Sequence, residues 1–164
     1  MASKQEFIQL INTHQRIIYK VCNLYMNNSA DKEDLFQEVC LQAWKAIDSF
    51  RGESQFSTWL YRVALNTAIT FIRKEKRKTP QILVEEFPEV ADDNNKEKEE
   101  QLNAMHKAIT NLNKIDKALV MLYLEDYSYI EIGKIMGITP NNVAVKMNRL
   151  KIKLKEETEK IYQF

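Results

Sequence analysis

The sequence predicts an all-helical protein of two small domains on a flexible acidic tether, and three observations lead there. Gly and Pro number only three each in 164 residues, and alternating strand-like runs are scarce, so neither hairpins nor sheets are signalled. Apolar residues recur three and four apart on both sides of a stretch where that period fails. The stretch itself is acidic. Residues 85–100 hold eight acids against two lysines, a net −6, so the remainder carries +7 within a total of +1. Domains are expected at 1–79 and 101–164, with the tether at 80–100 and a helix-turn-helix in the second domain. Basic domains favour a polyanionic partner, because lysine and arginine displace counterions from phosphates.

Composition also bounds the function. Hydrophobic residues make up 45% of the chain, enough to build cores. Cys22 and Cys40 lie in apolar helical patterns and read as buried thiols in a reducing compartment. There is no Cys-x-x-Cys and no Cys/His cluster, so neither a metal site nor a cofactor is expected. No apolar run approaches the ~18 residues that span a membrane, and a signal-peptide core is lacking. The expectation is a cytoplasmic protein with no membrane insertion of its own. No Gly-rich phosphate loop or nucleophile–base pair appears, so an enzyme is not expected.

The first helix opens on the capping box Ser3-Lys4-Gln5-Glu6. Phe7, Ile11, His14, Ile18, Val21, Cys22 and Tyr25 share its apolar face. His14 reads as a packed histidine, since no second metal ligand is spaced to join it. Asn27-Asn28-Ser29 breaks the helix. Asp31 is the next N-cap candidate. Leu35, Val39, Ala43 and Ile47 then make a buried face. The other side shows Asp34, Gln37, Glu38, Leu41, Gln42 and Trp44. An acidic-polar face carrying a leucine and an aromatic suits protein docking better than nucleic acid.

Asp48–Gln55 is a loop with Gly52 as its flexible point. A long helix follows, capped by Ser57 and stopped by Pro80. Leu60, Val63, Ala64, Thr67, Ala68 and Phe71 face inward. Arg62, Asn66, Thr70, Arg73 and Arg77 form a polar stripe roughly 22 Å long at about 1.5 Å per residue. Such a stripe can follow a phosphate backbone, while nearby aromatics stack on unpaired bases. Tyr61 and Asn66 are assigned to the polar side, and Trp59 is left between the core and the DNA face.

In the second domain Leu102, Met105, Ile109 and Leu112 mark one helix. Ile115, Leu119, Leu122 and Tyr123 mark the next. Ser128-Tyr129-Ile130-Glu131 is a capping box opening a short helix that ends at Gly137. Thr139 caps a further helix with Pro140 at its first position, where a missing N–H costs nothing. Small Gly133 would let the two helices approach closely, as a helix-turn-helix requires. Val143, Met147, Leu150 and Leu154 face inward. Thr139, Asn141, Asn142, Val145, Lys146, Arg149 and Lys153 are left for DNA. Asparagines at the start of such a helix can reach base edges, and the cations beyond suit phosphates.

Three segments in this order, DKEDLFQEVCLQAWKAIDSF, FSTWLYRVALNTAITFIRKEKRK and YSYIEIGKIMGITPNNVAVKMNRLKIKLKE, resemble a bacterial sigma factor of the extracytoplasmic-function type in the sigma-70 family. The resemblance implies a promoter-specificity subunit with two helical domains, regions two and four. It implies that Asp34, Gln37, Glu38 and Leu41 dock on the clamp coiled coil of the largest subunit of core RNA polymerase, with the flap region as a second contact. It implies that the loop bearing Arg51 captures an unpaired base of the minus-ten element. Trp59, Tyr61, Arg62 and Asn66 would then lie along the melted strand, and Arg73, Lys74 and Arg77 would hold the upstream duplex. The helix from Pro140 would enter the major groove of the minus-thirty-five element, and the acidic linker would thread the polymerase's positive channel. An anti-sigma factor is a further implied partner.

The chain departs from the family pattern in places. Arg62 and Val63 stand where large housekeeping factors carry melting aromatics, which implies weaker melting. Lys146 replaces a common arginine, which puts a bidentate base contact there in doubt. A stand-alone helix-turn-helix regulator is the alternative, with the N-terminal half as a dimerisation or sensing domain.

Overall fold

A computed structural model describes residues 3–78 and 96–162, with side chains within 3–74 and 97–161. It divides into two compact units, Met1–Glu86 and Phe87–Phe164. Among the described residues all regular structure is helical.

The first unit is a three-helix packing of α1 (Lys4–Tyr25), α2 (Ser29–Ala46) and α3 (Phe56–Lys78), with each helix touching the other two. The Ser3 hydroxyl accepts from the Glu6 N–H and the Glu6 carboxylate accepts from the Ser3 N–H, closing the expected capping box. The cap of α2 differs from expectation. Asn28, not Asp31, is the N-cap: its side-chain oxygen accepts from the Asp31 N–H at 2.8 Å. Asp31 sits one turn inside, where its charge favours the positive end of the helix dipole. Likewise α3 begins at Phe56, so Ser57 lies within its first turn and is not the cap.

A 3-10 turn, Ile47–Ser49, and the loop 50–55 join α2 to α3. The core takes Ile18, Val21 and Cys22 from α1, Leu35 and Val39 from α2, and Leu60, Ala64 and Ala68 from α3. Both cysteines are free, Cys22 buried and Cys40 half-buried. Burial pushes the Cys22 thiol up to about 11, which suits a packing role rather than a reactive one.

The second unit holds α4 (Lys96–Thr110), α5 (Lys114–Leu124), α6 (Tyr129–Met136) and α7 (Pro140–Tyr162). Most of the expected tether, 80–100, lies outside the described residues. Its last five residues, 96–100, belong to α4 and not to a linker. The buried face of α4 is Ala104 and Ala108, with Leu112 buried just past its end, while Leu102 is exposed. Small residues are buried there because α4 packs along the long α7. Asn113 caps α5 by accepting from the Asp116 N–H.

The turn from α5 to α6 puts Asp126 at φ 65°, with the Tyr127 N–H donating to Leu122 O and the Asp126 N–H to Tyr123 O. That pair of bonds is a Schellman ending with aspartate where glycine is usual. Only the cap beyond it was visible in the pattern. Ser128 and Glu131 then form the second capping box.

Gly137 ends α6 at φ 73°, and the Thr139 hydroxyl accepts from the Asn142 N–H to open α7. The expected role of Gly133 holds in detail. A Cβ there would stand 2.6 Å from the Ile138 carbonyl oxygen, which is backbone and has no rotamer through which to yield. The turn between α6 and α7 therefore requires glycine at this position.

Replacing Gly133 by alanine is expected to destabilise the protein by about 1–3 kcal/mol, the range for overpacking a close contact. Urea unfolding followed by circular dichroism reads it. An unchanged midpoint would mean that the turn opens without cost.

Candidate nucleic-acid and polymerase interfaces

Three surfaces carry the residues that the sequence singled out. The first is the outward face of α2. Leu35, Val39 and Ala43 turn inward. Asp34, Gln37, Glu38 and Leu41 are thereby gathered on one side, with Leu41 45% exposed. Glu38 is half-buried and accepts from the Gln42 side chain at 2.9 Å. Trp44 adds apolar area at 42% exposure, its ring 5.0 Å from Phe7. An exposed leucine and tryptophan within acids and glutamines is chemistry for a protein partner.

The second surface is the loop 50–55 with the exposed side of α3. Phe50 and Phe56 stand at the two ends of the loop, and their rings meet edge to face at 5.6 Å. Trp59 closes on both, 5.6 Å from Phe50 and 5.5 Å from Phe56. His14 of α1 supports the cluster, its ring 4.9 Å from Phe56 and its Nδ1 2.9 Å from the Leu10 carbonyl. Rings at such offsets attract one another beyond simple burial. The loop is thus clasped at its base, while Arg51, Gly52, Glu53 and Gln55 are exposed above it. Gly52 has φ 75° with open space around it, so its glycine answers a backbone need and not a steric one.

Along α3, Arg62, Asn66, Thr70, Arg73 and Lys74 are exposed and form the polar stripe. Arg77 lies outside the described side chains. Trp59 is half-buried, so it belongs partly to the cluster and partly to the surface.

Tyr61 is a correction. It was assigned to the polar side, yet none of its surface is exposed. The cause is that α3 packs against both α1 and α2, so its buried arc is wider than a single-partner helix needs. Leu60, Tyr61, Ala64, Leu65 and Ala68 all fall within that arc. A ring in this position supports the stripe from beneath and cannot lie along a nucleic-acid strand. Between α2 and α3 runs a groove of about 460 Å³ bordered by Glu38, Gln42, Asn66, Thr70 and Lys74. It joins the acidic face of α2 to the cationic face of α3.

The third surface is the start of α7. Val143, Met147 and Leu150 are buried. Thr139, Asn141, Asn142, Val145, Lys146, Arg149 and Lys153 are all exposed, so the structure assembles every side chain assigned to this surface. Asparagines lead and cations follow, in the order that base edges and then phosphates require.

The comparisons with known proteins agree in both units. Residues 10–78 match the model of Sigma-70 region 2, and residues 102–154 match that of Sigma-70, region 4. The ECF RNA polymerase sigma-E factor of Escherichia coli (strain K12) is 30% identical over 159 residues, covering 89% of this chain and 83% of that protein. The ECF RNA polymerase sigma factor SigW of Bacillus subtilis (strain 168) is 29% identical over 159 residues, with 87% and 83% covered.

Two solved structures share the fold at 19% identity. The sigma factor RpoE in complex with the anti-sigma factor NepR from Bartonella quintana has a TM-score of 0.69, covering 94% of this chain and 98% of that one. CnrH in complex with the cytosolic domain of CnrY has a TM-score of 0.64, covering 94% and 88%. The chain belongs to the sigma-70 family of RNA polymerase sigma factors, in the extracytoplasmic-function group. Its function is that of a promoter-specificity subunit. The stand-alone regulator is not favoured, because region 2 occupies the half that such a regulator would use for sensing or dimerisation.

Tyr61→Ala is expected to lower unfolding free energy by about 3–5 kcal/mol, as for other large aromatic truncations in cores. Tyr61→Phe should keep promoter melting near normal. A Tyr61→Phe protein that is fully folded yet unable to open promoters would return the hydroxyl to the DNA interface.

Proposed function

We propose that this sigma factor docks on core RNA polymerase through α2, and reads promoter DNA with the loop–α3 surface and with α7. The observation that carries the proposal is the layout of α3. Its N-terminal end bears a clasped aromatic cluster beneath an exposed loop, and its exposed side continues as Arg62, Asn66, Thr70 and Arg73. That order fits a fork in DNA, with the single strand at the loop and the duplex further along the helix.

Energetics support a subunit and not an autonomous melter. Separating base pairs costs ~1.4 kcal/mol per step in stacking. Stacking one extruded base on an aromatic returns about 1–3 kcal/mol. Only part of Trp59 is available for this, and Tyr61 is enclosed. A small domain therefore depends on a large partner whose own DNA contacts contribute. The acidic and apolar face of α2, with Leu41 and Trp44 exposed, fits the clamp coiled coil of the largest subunit. On this reading α7 enters the major groove of the minus-thirty-five element, led by Asn141 and Asn142, with Lys146, Arg149 and Lys153 on bases or phosphates.

The chemistry of chain synthesis stays with the polymerase, and the factor supplies recognition and opening in the cytoplasm. Among the described residues no helix is long and apolar enough to cross a membrane. Of the two solved structures that share the fold, one is in complex with the anti-sigma factor NepR and the other with the cytosolic domain of CnrY. An anti-sigma factor that covers the polymerase-facing side of this chain is proposed on that likeness, and the exposed apolar side chains of α2 suit it.

Two expected outcomes follow. Gln37→Ala combined with Glu38→Arg should abolish capture by core polymerase in a pull-down while circular dichroism stays unchanged. Undiminished capture by the folded variant would remove α2 from the interface. Asn66→Ala should slow initiation by holoenzyme on a closed duplex promoter, with partial rescue on a template already mismatched across the minus-ten region. Equal, near-normal activity on both templates would place Asn66 outside the mechanism.

A further inference from the structure

Lys151 stands apart from the other cations of α7. At 3.6 residues per turn it lies about 160° round the helix from both Arg149 and Lys153. It is therefore turned from the outward face toward α5 and α6, where its Nζ sits 4.5 Å from the centre of the Tyr123 ring. Tyr123 belongs to α5. Its ring lies 6.4 Å from that of Tyr129, the first residue of α6. Side-chain hydrogen bonding to Tyr123, with a further contribution from Tyr129, raises the Lys151 pKa above lysine's usual value. One cation of α7 thus meets a ring of α5, and that ring stands beside the first residue of α6.

The position has a mechanical meaning. Val143, Met147 and Leu150 hold α7 on its unit by apolar burial, which is non-directional. Such packing fixes which face of a helix turns inward, and leaves small rotations about its axis to contacts at the edge of that face. A cation against a ring face has a preferred geometry, so it resists that rotation. Periodicity separates Lys151 from Arg149 and Lys153, but the ring it meets belongs to another helix and only the fold brings it there.

We propose that Lys151 is a positioning residue: it ties α7 to α5 through the Tyr123 ring, and so sets the angle at which Asn141, Asn142 and Arg149 meet duplex DNA, without touching DNA itself. This rests on reading α6 and α7 as a DNA-contacting helix-turn-helix.

The test uses holoenzyme assembled from the full chain and core polymerase. Two probes are needed: an upstream-element duplex selected by wild-type holoenzyme from a randomised pool, and an unrelated duplex of the same length. Lys151→Met is expected to weaken binding to the selected duplex by about two- to fivefold, the range an exposed cation–ring contact supplies. Binding to the unrelated duplex and the slope of log K against log salt should not change. Lys151→Arg, which keeps a cation against the rings, should restore selective binding.

A slope shallower by about 0.9 would overturn the proposal, because it marks a lost phosphate contact. Unchanged affinity for both duplexes with only a lower melting temperature would also overturn it, leaving a purely structural lysine. If Lys151→Met does not fold, Lys151→Gln, which also removes the cation, is read in the same way. Arg149→Ala in parallel separates the premise from the proposal. If it too leaves selective binding intact, the helix-turn-helix reading fails and the positioning role fails with it.

Discussion

The packing of α3 against two neighbours at once governs the N-terminal unit. A helix with one partner buries a stripe, whereas a helix with two buries a broad arc. Ala64 and Ala68 sit within that arc and let α1 and α2 come close. Everything outside the arc is thereby defined as surface: Arg62, Asn66, Thr70 and Arg73 on one line, with the loop at its head. The polar stripe is a remainder left by core packing. Its register to the aromatic cluster follows from the same contacts.

The aromatic cluster links that core to the loop. Phe50 and Phe56 bracket residues 51–55, and Trp59 and His14 hold the bracket from α3 and α1. An exposed loop ordinarily has low local stability because few contacts restrain it. Here the restraint is confined to the two ends, and the middle keeps its freedom at Gly52. A partner such as an extruded base would then meet a loop whose ends need not be ordered on binding, which lowers the entropic cost of recognition.

In the C-terminal unit the corresponding constraint is a single close approach, Gly133 to the Ile138 carbonyl. It sets the angle between α6 and α7. The Ile138 N–H donates to the Gly133 carbonyl and the Asn142 N–H to the Thr139 hydroxyl, which satisfies backbone groups that the sharp turn leaves without helical partners. Charge completes the picture. On the proposed reading, the cations of α7 favour duplex phosphates at long range with an effect that weakens with salt, while base-edge contacts near Asn141 and Asn142 would not depend on counterion release in the same way.

What the sequence determined by itself is local. Both capping boxes, the Gly137 ending, the Gly133 approach and the Thr139-Pro140 start were legible because each involves residues within a few positions of one another. The ordered surface of α7 was legible too, since one dominant inward face, Val143, Met147 and Leu150, leaves no ambiguity about its opposite. Tertiary structure alone decided the rest. It enclosed Tyr61, exposed Leu102, divided Trp59 between core and surface, and set Lys151 against the Tyr123 ring. In each case the outcome depends on how many helices press on a given helix and from which side. Periodicity along one segment reports the spacing of its own residues and carries no record of those partners.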